Sequence, residues 1–421
     1  MYRIIAARFL SRSGSEAAFF IGVWGKAAFD LGAGPTALAA IMFTISVSSI
    51  LGSMVAGVMV DRHGPRRVLM TAEVLFIPAA LAFAMTQTVT QVAMVSGIWA
   101  FLGAPVVTAG ATFAPYLVGS DDDLKRVNSW IEGAGSLAFA VGPAVGAIIV
   151  SLFHVNWVFV MDAVTSAIAA LLVIPVQLKM PERAPVEDGK SRHPLSEMVE
   201  GLRTVYGLRN VRYYVLMGSI VWMSFGAFGA LEPLFFRDVV GTGIEAVGYM
   251  NSLFGLGFMV GAASLARLPR KYITARALNV FMIGVGMGTV LYVGSADLRI
   301  IAVGAFVWAS VIGLMEPLLR TLIHRDAPHA VVGRVMGIAE VHRRAGELLP
   351  LGIAPALAAA FGVQRVMIGG GIVAATAALL ALREAGAIDR DREALLATGV
   401  ISGDHEIAAP LAGDEPLNPT P

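Results

Sequence analysis

The chain contains no cysteine, which excludes disulfides, thiol nucleophiles and thiolate metal sites. It is also poor in charge: Asp, Glu, Lys and Arg make up 14% of the residues, against about 25% in soluble domains. The net charge is +1, with the basic residues parcelled into short loops rather than gathered on one face. That leaves no footprint for nucleic acid. No G-x-x-x-x-G-K-[ST] loop is present, since Gly25-Lys26 is followed by Ala27 without the upstream glycine, which argues against direct ATP use. Neither G-x-S-x-G nor a His-x4-Asp pair occurs, so a membrane enzyme is the weakest option. No cofactor and no metal site are expected, and no cleavable signal peptide is recognised.

Apolar residues fill the space that charge vacates, at 57% of the chain with a mean hydropathy of +0.73. Because a bilayer core of about 30 Å takes roughly 20 apolar residues per helix, turn signals and charges cut the chain into twelve spans. The first six are expected at 7–29, 36–60, 68–88, 92–115, 127–151 and 155–178. The second six are expected at 213–235, 246–267, 276–295, 300–323, 334–360 and 363–383. This is an all-α integral membrane protein with the lipid bilayer as its main partner. Residues 179–212 are the one long polar interruption and divide it into an N-terminal half, 1–178, and a C-terminal half, 213–383. Within the interruption, Leu195, Met198, Val199, Leu202, Val205 and Tyr206 recur at helical spacing beside Glu197, Glu200 and Arg203, which predicts an amphipathic helix at the membrane face. Residues 384–421 turn polar and rich in Gly, Pro, Asp and Glu, so a disordered tail is expected there. Most Lys and Arg fall on one side of the spans, which places both termini and the central loop in the cytoplasm of a plasma-membrane protein.

Between spans two and three runs Gly57-Val58-Met59-Val60-Asp61-Arg62-His63-Gly64-Pro65-Arg66-Arg67. A positive-inside loop accounts for the arginines, but not for Asp61, Gly57 and Gly64 at these spacings. The two halves echo each other: Gly57 and Pro65-Arg66-Arg67 return as Gly261 and Pro269-Arg270-Lys271, with Leu265 in the place of Asp61. The loop resembles the signature of the major facilitator superfamily, G-x-x-x-D-R-x-G-x-R-R, at every defined position. The resemblance implies twelve helices in two pseudo-symmetric six-helix halves, with Asp61 as a latch to the opposite half and Arg62, Arg66 and Arg67 as its supports. Span five carries Gly133, Gly142-Pro143 and Gly146. It is similar to the antiporter motif of exporters in that family, although Ala138 and Ala147 replace two glycines. Arg126-Val127-Asn128-Ser129 and Gly333-Arg334-Val335 look like the branch of siderophore exporters and macrolide or tetracycline efflux pumps.

An ionisable residue inside a span costs about 2.5–3.5 kcal/mol on insertion scales and is a functional candidate by default. On the family's arrangement, where spans 1, 4, 7 and 10 line the cavity, Glu16, Glu232 and Glu316 are candidates for substrate or proton contact. Glu132 and Arg320 join them as further cavity candidates, while Glu73 and Asp162 fall on outer spans and read as structural hydrogen-bonding groups. Glu340, Arg343, Arg344 and Glu347 form one stripe of span eleven, with acid and base spaced to pair along the helix. The stripe reads as a neutralised ladder serving gating, or as a proton or anion site. Trp24, Trp99, Trp222 and Trp308 put one tryptophan on each of the four cavity spans, suiting a lipophilic, often cationic guest. Span four has no basic residue in 93–114, so the arginine motif of many proton antiporters is missing.

Taken together, these features predict a monomeric secondary exporter of lipophilic small molecules, drugs or a siderophore-like metabolite, driven by proton antiport. An importer or lipid or metabolite carrier of the same fold, and a non-transporting membrane sensor or scaffold, are the alternatives.

Overall fold

The computed structural model describes residues 1–118, 121–176, 194–328 and 331–398, and among them every regular element is helical. In chain order these are α1 (Tyr2–Ala17), α2 (Pro35–His63), α3 (Pro65–Ala82), α4 (Val89–Ala111), α5 (Asp121–Leu152), α6 (Asn156–Val173), α7 (Pro194–Gly207) and α8 (Arg209–Phe225). They are followed by α9 (Phe228–Leu234), α10 (Ile244–Leu265), α11 (Ala275–Val293), α12 (Leu298–Asp326), α13 (Val332–Phe361), α14 (Val363–Leu380) and α15 (Leu382–Ala397). Ten helical stretches are long and apolar enough to cross a bilayer, α8 and α9 forming one of them with the π-helical turn to Val240. The remaining two spans are α1, continued by π-helical turns to Asp30, and α13. Both carry charged residues that line interior cavities, Arg8, Arg12 and Glu16 in α1 and Arg343 and Glu347 in α13.

The two halves, α1–α6 and α8–α14, repeat one packing scheme: α2 lies against α4 as α10 lies against α12. Small residues set these contacts, because a close crossing needs backbone to approach backbone. A Cβ on Gly52 would strike the Phe101 carbonyl of α4, and one on Gly257 would strike that of Phe306 in α12. Two tight corners have the same backbone solution. Gly64 (φ 81°, ψ 154°) joins α2 to α3 and Gly362 (φ 83°, ψ 152°) joins α13 to α14. Only glycine adopts that region readily, and Pro65 then opens α3 at a first-turn position where its missing N–H costs nothing.

The expected spans and observed helices coincide in number and order, with ends displaced by a few residues. The first span starts earlier, at Tyr2 rather than residue 7, because the exposed Arg3 does not interrupt the helix. The amphipathic helix is α7, whose Val205 is fully buried while Val199 and Arg203 are exposed. It packs on α13 and α8. Residues 177–193, which include the first part of the expected interruption 179–212, and residues 399–421 of the expected tail lie outside the described residues.

The tail expectation needs a correction at its start, since residues 382–397 form α15 instead of irregular chain. The helix is held by its acids. The Asp389 carboxylate accepts from the backbone N–H groups of Ala275 (2.8 Å) and Arg276 (3.0 Å), capping the otherwise unsatisfied N-terminus of α11. Arg209 reaches Glu384 and Asp391 at 2.7 and 2.9 Å, and Arg392 reaches the buried Asp326 at 3.0 Å.

Candidate transport cavity and gating elements

A cavity of 590 Å3 lies between the halves. Helix directions order its wall. Toward the end bearing the Asp61–Arg67 loop come Arg8 and Arg12 of α1, Glu132 of α5, Glu316 and Arg320 of α12, and Arg343 and Glu347 of α13. Deeper lie Phe20, Phe139, Phe254, Phe225, Phe228 and Trp308, with Glu232 at the floor. The aromatic wall is continuous across the halves: Phe20 meets Phe139 at 5.7 Å, Phe139 meets Phe254 at 6.4 Å, and Phe254 meets Trp308 at 5.1 Å between ring centroids. Such edge-on rings offer area and π-faces to a lipophilic guest. The indole N–H groups of Trp222 and Trp308 are buried without a partner, so the chamber also holds two unused donors.

Glu232 is not free. The Tyr292 hydroxyl donates to its Oε1, and Asn251 Nδ2 donates to Oε2 at 3.3 Å. Glu316 and Arg320 pair within α12 at 3.3 Å, leaving Glu316 Oε2 without a partner. On α13, Arg343 bonds Glu340 at 2.5 and 2.7 Å, and Arg344 bonds Glu340 at 3.0 Å. Both guanidinium groups approach Glu347 at 3.6 Å. The stripe is therefore one internally neutral ladder. Its rungs point to different places: Arg343 into the central cavity, Arg344 into a separate 310 Å3 pocket of the N-terminal half, and Glu340 into a third pocket beside α8.

The end opposite the loop is shut. Arg237 of the C-terminal half donates to the carbonyls of Ala28 and Ala33 in the N-terminal half at 2.6 and 3.0 Å. A Cβ placed on Gly248 of α10 would come within 2.7 Å of the Pro143 carbonyl and 2.8 Å of the Ala147 Cβ on α5. One on Gly255 would stand 2.6 Å from the Ala140 Cα. At the loop end the same kinds of residue stand clear: Gly57, Gly133, Gly333 and Gly337 have no neighbour within 4 Å of an added Cβ. The halves thus touch at one end and part at the other.

The predicted residues divide accordingly. Gly142 packs α5 on α1, where a Cβ would meet the Ser13 carbonyl at 2.6 Å, and Gly146 packs on Ile21 and Ala17. Pro143 and Ala147 serve the α5–α10 seam, whereas Gly133 packs on nothing. Asp61 and Arg62 are exposed and form no hydrogen bond or ion pair among the described residues, as does Arg67. Arg66 donates to the Ile174 carbonyl at the end of α6 rather than to an acid, a cation satisfying a helix C-terminus. Glu16 pairs with Arg12 at 2.5 Å and lines the N-terminal pocket, not the central cavity. Of the four tryptophans, Trp222 and Trp308 line the central cavity and Trp99 lines the N-terminal pocket. Trp24, between the two π-helical turns, lines none of these; it is 2% exposed and packed on Phe19.

Arg8, Arg12, Asn251 and Tyr292 were missed. Arg12 and Glu16 sit at i and i+4 in α1, a pairing signal that lay within the expected first span and could have found Arg12. Asn251 and Tyr292 carry no charge, so a search for ionised groups passes over them.

Two pseudo-symmetric helical bundles with a polar and aromatic cavity at their seam define a multi-pass membrane carrier of small molecules. Residues 4–350 match the profile of the Major Facilitator Superfamily, and the chain belongs to that family. It is 27% identical over 335 residues to the multidrug efflux pump Tap of Mycolicibacterium fortuitum, a match covering 75% of this chain and 79% of the relative. It is 24% identical over 258 residues to macrolide efflux protein A of Streptococcus pyogenes, covering 58% of this chain and 63% of that protein. Among solved structures, a mutant of the nucleoside transporter NupG superimposes with a TM-score of 0.71 at 12% identity, over 90% of this chain and 98% of that one. A bacterial homologue of the iron transporter ferroportin in an inward-facing state gives 0.69 at 14% identity, over 90% and 98%. At such identities the likeness shows the fold alone.

Proposed function

We propose that the protein is an exporter that carries lipophilic small molecules out of the cytoplasm by alternating access, coupled to proton antiport. The observation that carries this reading is the cavity itself, shut at one end by Arg237 and the α5–α10 seam and bounded by aromatic rings above a carboxylate floor. The Lys and Arg bias supports a cytoplasmic loop end, so the open side would receive substrate from the cytoplasm. The relatives named as efflux pumps support the direction of transport. Switching requires a ligand with different affinity for the two states, and a cavity that parts its rings on opening supplies that difference.

Asp61 itself has no hydrogen-bond or ion-pair partner among the described residues in this open state, as expected of a latch that engages when the loop end closes. The glycines standing clear at that end, Gly57 and Gly133 on one half and Gly333 and Gly337 on the other, leave room for such a closure. The test is accumulation of a panel of lipophilic dyes and antibiotics in cells expressing the protein or Asp61→Asn, with and without a protonophore. Lowered accumulation that both the substitution and the protonophore abolish is the expected result. Equal accumulation across the panel, with the protein confirmed in the membrane, overturns the export of lipophilic drugs.

A further inference from the structure

Behind the N-terminal pocket, away from the central cavity, two carboxylates are buried against hydroxyls. Asp162 of α6 is fully buried and Glu73 of α3 is 2% exposed. Asp162 Oδ1 accepts from the Ser15 hydroxyl at 3.2 Å and Oδ2 accepts from Trp99 Nε1 at 3.0 Å, which holds it as an acceptor on both oxygens. The Glu73 carboxyl neighbours Asp162 and the hydroxyls of Ser11 and Ser166. Neither carboxylate forms an ion pair with Lys or Arg among the described residues. The oxygens are also incompletely used: Glu73 Oε2 and the Ser166 hydroxyl, the latter fully buried and within reach of Glu73, make no hydrogen bond.

The charged groups facing this cluster are few. From α1, Arg8 stands at the Glu73 edge, and Arg12 is spent on Glu16. Residues 89–111 of α4 carry no charge and contribute Trp99. Arg8 offsets one carboxylate at most, so one negative charge remains in a membrane interior where an unpaired charge is strongly disfavoured. The donor set is all oxygen, the ligand type of hard cations, and the residual charge matches a single positive one.

We propose that Asp162, Glu73, Ser11, Ser15 and Ser166 form a binding site for one monovalent cation, a proton or a sodium ion, separate from the substrate cavity. The site lies near mid-helix on α1 and α6, and the 310 Å3 pocket leads to it past Ser11, Ser15 and Trp99. Arg344 of the opposite half stands on that pocket's wall, so relative movement of the halves changes cation access. The proposal deepens the exporter reading by naming its coupling site, and rests on it for the link to transport. It also gives Asp162 and Glu73, expected to be merely structural on outer spans, the coupling role that the charge-free fourth span lacks.

The experiment uses the purified full chain in nanodiscs, with tryptophan fluorescence and 22Na+ binding as readouts and choline chloride holding ionic strength. Sodium titrated at fixed pH, and pH titrated without sodium, separate the two cations. A saturable response to one of them is expected, weakened at least tenfold by Asp162→Asn and by Glu73→Gln and unchanged by Glu393→Gln on the exposed face of α15. Trp99→Phe should remove the fluorescence change while leaving 22Na+ binding or the proton stoichiometry within a few-fold. Gel filtration and thermal melting of the same nanodisc samples show that the variants are folded. No response to either cation, a response that survives both carboxylate substitutions, or a response to Mg2+ or Ca2+ instead overturns the proposal. Because binding is read without transport, a protein that binds the cation and exports nothing counts against the export reading alone. Export undiminished in Asp162→Asn counts against this site alone.

Discussion

The guanidinium of Arg343 lies over the ring of Trp222, its carbon 4.7 Å from the ring centroid, while its nitrogens hold Glu340 and approach Glu347. One side chain thus fixes an aromatic wall of the cavity and the charge balance of α13 together. Arg343→Ala should lower the melting temperature and weaken binding of a lipophilic dye. Glu340 is exposed while Arg343 is mostly covered, and residues sharing one hydrogen-bonded network couple, so Arg343→Ala combined with Glu340→Ala should lose less than the sum of the singles. A coupling of about 0.5–3 kcal/mol is expected. Strictly additive melting shifts would mean the ladder is not a unit.

Gly64 and Gly57 separate a folding role from a switching role within seven residues. Gly64 adopts a backbone region closed to other residues, and Gly64→Ala should cost about 1–3 kcal/mol of stability. Gly57 has open space around it, so Gly57→Leu should leave the melting temperature within a degree or two and still impair transport, by obstructing closure of the loop end. A Gly57→Leu protein that transports at full rate removes this position from the gate.

These positions also show what the sequence could reveal. Gly64-Pro65 announces a helix break by local chemistry alone, and hydropathy gives the spans because each is a continuous segment that must satisfy its own backbone. The neutral ladder on α13 was legible for the same reason, its partners being three and four residues apart. Glu232 with Tyr292 is the opposite case: the pair is 60 residues apart and forms only when α9 and α11 pack. Trp24 was misread because lying on a cavity span does not fix which side of the helix faces the cavity, and Trp24 is packed on Phe19 instead. Helix α15 was missed because its stabilising contacts, Asp389 on α11 and Arg209 on Glu384, are tertiary.

The shut end should yield to modest changes. Arg237 joins the halves through two carbonyls, and Gly248 allows α10 to lie on α5. Arg237→Gln removes the first link and Gly248→Val wedges the second, so each should shift the population toward the state open at that end. The absence of cysteine provides a clean background: with Ala140→Cys introduced on the seam, maleimide labelling should rise several-fold in either variant. Labelling unchanged in both would show that neither contact holds the closed end.

Outside the membrane spans, acid should release α15. The bidentate hydrogen bond from Arg209 holds the Glu384 carboxyl below the usual carboxylate range. A carboxylate whose folded pKa is depressed contributes stability above its unfolded pKa and loses it as pH falls through the folded value. Glu384 is partly exposed, with 44% of its side chain open to solvent, so the contribution is screened and small. Amide protection in residues 382–397, taken relative to the intrinsic exchange rate at each pH, should therefore be higher at pH 6 and fall more than protection in α11 does as pH drops from about 4.5 toward 3. Glu384→Gln should lower that protection at pH 6 toward the acid level and flatten its pH dependence. Persistence of the full pH dependence in Glu384→Gln would assign the acid response to Asp389 or Asp391 instead.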